Sequence, residues 1–147
     1  MFANLPSEYR TKYLDKVNFS ALDEIPDCTK YKVPKTIKYI NADKDFCGWE
    51  MVNITLSLIA IFMRDEVHFL SLHPVRYDLV KQAISMGEID MPIIYCGSDG
   101  IPSVQDGRHR LVALYKYGFK NAQVAVPKEQ FDTIKAFFAQ LEYDSRT

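Results

Sequence analysis

The run Val104-Gln105-Asp106-Gly107-Arg108-His109-Arg110-Leu111 gathers the side chains of this sequence best suited to chemistry. Two arginines and a histidine stand together directly after an Asp-Gly pair, which signals a turn. Leu111, Leu114 and Tyr115 follow at i, i+3, i+4, the spacing of one apolar helix face, and Gly118 stands where a glycine ends a helix. Asp106 is the expected N-cap. Arg108, His109 and Arg110 therefore fall in the first helical turn. Unpaired backbone N–H groups and the helix dipole already favour anions there. Cations are electrostatically misplaced at such a point unless an anion joins them, and the chemistry this implies is capture of an anion.

Other candidates are more scattered. Asp65 and Glu66 end an apolar run at 56–62 and are expected to be exposed, with a catalytic carboxylate as the alternative to a solvated loop. Glu88 and Asp90 flank an expected turn before Pro92, where a solvated turn is the simpler reading. His68 sits in an alternating, strand-like run and reads as structural, whereas His73 precedes Pro74 in a loop. Cys96, at a strand end, reads as a small buried hydrophobe.

These residues need a scaffold, and 147 residues suffice for one domain with a core. The chain is 48% hydrophobic and 25% charged, as ordinary globular proteins are. Its net charge of −1 implies no general affinity for nucleic acid, so any such contact needs a local basic patch. Lys116, Lys120 and Lys128 are the lysines near the arginine helix. The three cysteines, Cys28, Cys47 and Cys96, lack the spacing of a structural metal site, so no metal is expected and a reducing, cytoplasmic setting fits. The apolar run at 56–62 is too short to span a bilayer, and neither a leader segment nor a membrane partner is expected.

Taken in order, the pattern predicts a helix after Pro6, with Tyr9, Tyr13, Leu14 and Val17 on one face, then a loop or short helical piece over 18–30. Strands are expected at 36–40 and at 49–55, the latter with Val52 and Ile54 on one face. The run 56–62 fits a strand or a short helix, and 67–72 alternates like a strand. A helix over 75–86 should turn Leu79, Val80, Ala83 and Ile84 inward and end at Gly87. A strand at 91–96, a hairpin-type turn at 97–100 and a partner strand at 101–104 lead into the Asp-Gly helix. A last strand at 123–126 precedes a C-terminal helix with Pro127 at N1 and Phe131, Ile134, Phe137, Phe138 and Leu141 as its stripe. Short strands interleaved with helices and hairpins imply an α+β fold, a small mixed sheet with flanking helices.

From residue 51 onward the order of features resembles the N-terminal domain of ParB-type proteins, in the ParB/sulfiredoxin-like superfamily. The resemblance rests on the strand and Leu56-Ser57-Leu58-Ile59 run, the helix ending at Gly87, and Met91-Pro92-Ile93-Ile94. It continues through Asp106-Gly107-Arg108-His109-Arg110-Leu111, Ala113-Leu114, Gly118 and the closing β-run. It divides the single domain of residues 1–147 into an unassigned extension at 1–48, a ParB-like core at 51–127 and a C-terminal helix at 128–147. What it implies is that the glycine–arginine helix start holds nucleotide phosphates, of ATP or CTP with Mg2+. Asp106 opens the motif, Gly107 would let the backbone approach a phosphate, Arg108 and Arg110 would supply forked donors, and His109 would add a donor or point into the fold.

The sequence also departs from the family. Arg108 stands where sulfiredoxin has its cysteine, so sulfinic acid reduction is not expected. The roughly twenty residues after Val126 are too few for the helix-turn-helix domain that follows in ParB proteins. Three readings remain. The first is a nucleotide-binding enzyme or switch, an NTP hydrolase or phosphotransferase with a base from Asp65 or Glu66 and with His109 beside the phosphates. The second is a ParB-like nuclease or nucleic-acid-binding protein. The third is a non-catalytic interaction protein of a mobile element, meeting a protein partner through residues 1–48 or pairing as a homodimer.

Overall fold

The structure is a computed structural model that describes residues 31–40, 48–56, 74–97 and 102–145. Strands β1 (Lys38–Ile40) and β2 (Trp49–Thr55) precede helix α1 (Pro74–Ser85). Strands β3 (Glu88–Asp90), β4 (Ile93–Cys96) and β5 (Pro102–Asp106) follow, then α2 (Arg108–Lys116) and β6 (Asn121–Pro127). A 3-10 turn at Lys128–Gln130 leads into α3 (Phe131–Ser145). The described residues are thus α+β, with two small sheets and helices around them. Among them, no helix is long and apolar enough to cross a membrane. The expected helix after Pro6, the run 57–62, the strand at 67–72 and His68 and His73 lie outside the described residues.

The four-stranded sheet has the order β2-β6-β4-β5. β6 lies inside it and buries Ala122, Val124, Ala125 and Val126, as a strand with neighbours on both sides should. It pairs antiparallel with β2 from Trp49↔Pro127 to Thr55↔Asn121 and parallel with β4 at Ile93↔Ala125. Val52 and Ile54 of β2 are buried while Met51 and Asn53 are exposed, the expected alternation. β5 pairs antiparallel with β4 and forms an edge. Its first residue, Pro102, has no N–H to give a ladder and is tolerated at such an edge.

The strand expected at 91–96 is β4, which begins later, at Ile93. Residues Glu88–Asp90, expected as a turn, form β3 and pair parallel with β1, Lys38↔Glu88 to Ile40↔Asp90. The break between β3 and β4 falls at Pro92, which cannot donate, while its carbonyl accepts from the Ala125 N–H at 2.8 Å. One chain thereby serves both sheets, β3 in the small one and β4 in the large one.

Ile54, Leu56, Ile84, Ile94, Leu111, Leu114 and Ile134 are the largest fully buried side chains. α1 turns Tyr77 and Ile84 inward, with Val80 and Ala83 partly buried. Leu79, expected inward, stands 58% exposed. The apolar residues of α1 cover a broad arc with Leu79 at one edge and Tyr77 at the other, so periodicity does not choose which edge is buried. α2 buries Leu111, Val112, Ala113 and Leu114. It ends in a Schellman motif: Gly118 (φ 92°) donates to Tyr115 O at 3.0 Å and Phe119 donates to Leu114 O at 3.1 Å.

α3 lays Ile134 and Phe138 into the core, with Phe131 and Phe137 packed beside them. The Phe137 and Phe138 rings meet edge to face at 6.5 Å. Pro127, expected to open this helix, instead closes β6 and precedes the 3-10 turn, so the α-helix begins at Phe131. The Gln130 side chain then takes both backbone groups of Cys96. Its Oε1 accepts from Cys96 N–H at 2.7 Å, and its Nε2 donates to Cys96 O at 3.1 Å. Cys96 itself is half-buried against the core.

Tyr39 on β1 packs against the same core. Burial pushes its phenol above the ordinary value of 10.0, and a hydrogen bond with the Gln123 backbone offsets part of that rise. The folded state therefore holds the phenolic proton more tightly than the unfolded chain. This contribution to stability is complete below about pH 10 and is lost as pH rises through the folded value. The urea midpoint is expected to fall less steeply between pH 9 and pH 11 in Tyr39→Phe than in the wild type. Parallel curves would contradict the assignment.

Candidate anion-binding cleft

The arginine-rich run folds largely as its residues suggest, with one difference at its start. Asp106 is the last residue of β5, and the helix begins one residue later than an Asp106 cap requires. The N-cap is Gly107 at φ 98°, ψ 20°, with no side-chain cap bond, and its carbonyl accepts the first helical N–H, from Leu111, at 3.0 Å. This left-handed conformation suits glycine. The lack of a side chain has a second cause. A Cβ on Gly107 would lie 2.6 Å from Pro92 Cβ and 2.9 Å from Pro92 Cα. Glycine thus lets the start of α2 close onto the break between β3 and β4.

The expected phosphate ligands separate into two sets. Arg108 and His109, with Gln105, Asp106 and Gly107, line a polar cleft of about 320 Å³. Arg110 is not in that lining. Its Nη2 meets Asp106 Oδ2 at 3.1 Å, its Nη1 donates to the Asp90 carbonyl at 2.7 Å, and its side chain is only 16% exposed. The cation that looked misplaced in the sequence has an intramolecular partner in Asp106 and a second acceptor in Asp90, so Arg110 fastens α2 to the ends of β5 and β3. Arg108 is half-buried with Nε shielded from solvent, and both Arg108 and His109 have further polar or electrostatic contacts within the protein.

The cleft has a further basic wall that sequence reasoning missed. Arg76, third residue of α1, lines it with Val104. Two helix beginnings therefore meet at one cavity, and neither first turn carries an acid. The signal was present in Pro74-Val75-Arg76, a helix-starting proline followed by a cation, the same inversion of usual charge preference seen at Arg108. The nearest acid along α1, Asp78, accepts from Tyr31 OH at 3.0 Å and from Gln82 Nε2 at 2.8 Å. Glu88 and Asp90 have exposed positions on β3, and the Asp90 backbone, rather than its carboxylate, reaches Arg110.

Arg76, Arg108, His109 and the start of α2 form a donor set suited to a compact, multiply charged oxyanion. Asp106 supplies a carboxylate at the cleft's edge, 63% exposed and joined to Arg110. Asp65 and Glu66, the expected bases, lie outside the described residues. Among the described residues, no group of three or more His, Cys, Asp or Glu side chains is arranged to hold a metal ion. No family model matches the chain, and neither does any curated protein or solved structure.

Proposed function

We propose that the chain is a nucleotide-binding domain that takes the terminal phosphates of ATP or CTP in the Arg76–Arg108–His109 cleft. The observation that carries this reading is the meeting of two acid-free helix beginnings, each bearing an arginine, at one polar cavity. Arg76 and Arg108 neutralise phosphate charge and His109 adds a donor. Gly107 sets the approach of α2, and Arg110 acts as a positioning residue through Asp106 and Asp90. Mg2+ accompanies the nucleotide on its phosphates, since the described lining offers it a single carboxylate, Asp106. The ParB/sulfiredoxin-like resemblance of residues 51–127 supports the same ligand class, and a phosphoryl-transfer or hydrolytic step would draw its base from Asp65 or Glu66.

Isothermal titration with ATP, CTP and GTP in the presence of magnesium tests the proposal. Binding of at least one nucleotide is expected. Arg108→Gln and Arg76→Gln should each weaken it by about 10- to 100-fold, the range for losing a charge-assisted hydrogen bond. Absence of binding to all three, or unchanged affinity in both variants, overturns it.

A further inference from the structure

The opposite end of α2 carries a different combination of chemistry. Lys116-Tyr117-Gly118-Phe119-Lys120 flanks two aromatic rings with cations across the turn from α2 into β6. Thr55, Tyr115, Lys116, Gly118, Phe119 and Lys120 line a groove there of about 450 Å³. Among the described residues, this lining contains no acid. The backbone fixes its shape: Leu56 N–H donates to Lys120 O at 2.9 Å, Thr55 pairs with Asn121, and the Schellman motif holds Gly118 and Phe119. Tyr115 and Phe119 pack partly on the core and partly show at the surface, which holds the rings still without hiding them. Space above Gly118 is open, since a Cβ there would meet nothing within 4 Å.

Lys116, in the last turn of α2, also complements the helix dipole. Lys120 lies beyond the helix, so the dipole does not account for it. The groove is also separate from the arginine cleft. A nine-residue helix places its ends about 12 Å apart, and Val112, between them, is fully buried.

We propose that this groove binds an unpaired strand of nucleic acid, with a base stacked against Phe119 or Tyr115 and neighbouring phosphates on Lys116 and Lys120. Rings beside cations, without converging base-reading groups, suit stacking that tolerates any sequence. A mononucleotide pocket would surround its ligand and present several directed polar groups, whereas Gly118 and Lys120 leave this groove exposed. With a net charge of −1 the rest of the chain adds no general attraction, so binding is local and modest.

Fluorescence anisotropy of the full chain with a labelled oligothymidine of about ten nucleotides tests this. At low salt a dissociation constant of about 10 to 100 μM is expected, with a log–log salt slope near −1.4 for two phosphate contacts on a single strand. The double variant Lys116→Gln/Lys120→Gln should flatten that slope and weaken binding about tenfold. Phe119→Leu keeps apolar bulk, and it should weaken binding at least fivefold with the slope intact. No binding at low salt, or less than a twofold effect from both variants, overturns the proposal. Loss of strand binding only in Arg76→Gln or Arg108→Gln also overturns it, while leaving the arginine cleft as an anion site. Complete displacement of the strand by millimolar AMP would assign the groove to mononucleotides and defeat the proposal as well.

Discussion

Gly107→Ala is expected to destabilise the fold by about 3 kcal/mol, the sum of left-handed backbone strain and overpacking. The strain follows from φ 98°, a conformation that a side chain disfavours by about 1–2 kcal/mol. The remainder follows from Pro92, whose Cβ would stand 2.6 Å and whose Cα would stand 2.9 Å from the new methyl. Pro92 Cα is backbone and cannot rotate away, and Pro92 is itself held by the bond from Ala125 N–H to its carbonyl. Gly118→Ala provides the control. Gly118 has nearly the same φ, 92°, but a Cβ there meets nothing within 4 Å. Chemical denaturation of both variants should show Gly118→Ala losing about 1–2 kcal/mol and Gly107→Ala clearly more. Equal losses would mean that Pro92 does not confine position 107.

Arg110→Ala should cost about 1–2 kcal/mol of stability, from the lost charge-assisted bond and the lost packing of the side-chain stem. The two contacts of Arg110 are unequal. Asp106 is 63% exposed, so its ion pair is worth little and weakens with salt. The charge-assisted bond to the Asp90 carbonyl, at 2.7 Å, together with the packing of a side chain that is only 16% exposed, supplies the greater part. Asp106→Asn should therefore shift the urea midpoint much less than Arg110→Ala, with an effect under about 1 kcal/mol. Nucleotide affinity separates positioning from binding. While the Arg110→Ala protein is folded it should retain most of its affinity, unlike Arg108→Gln. An Arg110→Ala protein of wild-type stability that no longer binds nucleotide would show that Arg110 contacts the ligand itself.

Much of the scaffold around the cleft can be read from local pattern. β2 alternates buried Val52 and Ile54 with exposed Met51 and Asn53, and period two suffices to find it. Gly118 ends α2, and the α3 stripe through Ile134 and Phe138 is buried as helical spacing requires. What eluded the pattern depends on distant partners. β3 has three residues, too few for a periodic signal, and exists because β1, itself expected at 36–40, supplies it with backbone bonds. The inward face of α1 depends on which side meets α2, so Tyr77 replaces Leu79 in the core. Arg110 illustrates the same limit at the site. Its charge was legible, but its acceptor is a backbone carbonyl twenty residues earlier, brought close by the break at Pro92. Arg76 joined Arg108 only through the packing of two helix starts that are separated widely in the chain.

The Gln130 clamp on Cys96 constrains how this region can vary. Position 130 must present an acceptor to one backbone group and a donor to the other, at 2.7 Å and 3.1 Å. Glutamate has the reach but, when ionised, only acceptors, and would set a negative oxygen against the Cys96 carbonyl. Asparagine has the right groups on a shorter stem, and lysine has donors alone. Glutamine is the natural side chain that imitates a neighbouring peptide unit here, so substitution at this position is narrow for reasons of hydrogen-bond polarity rather than size, and any drift away from it requires β4 to find another partner at the same time.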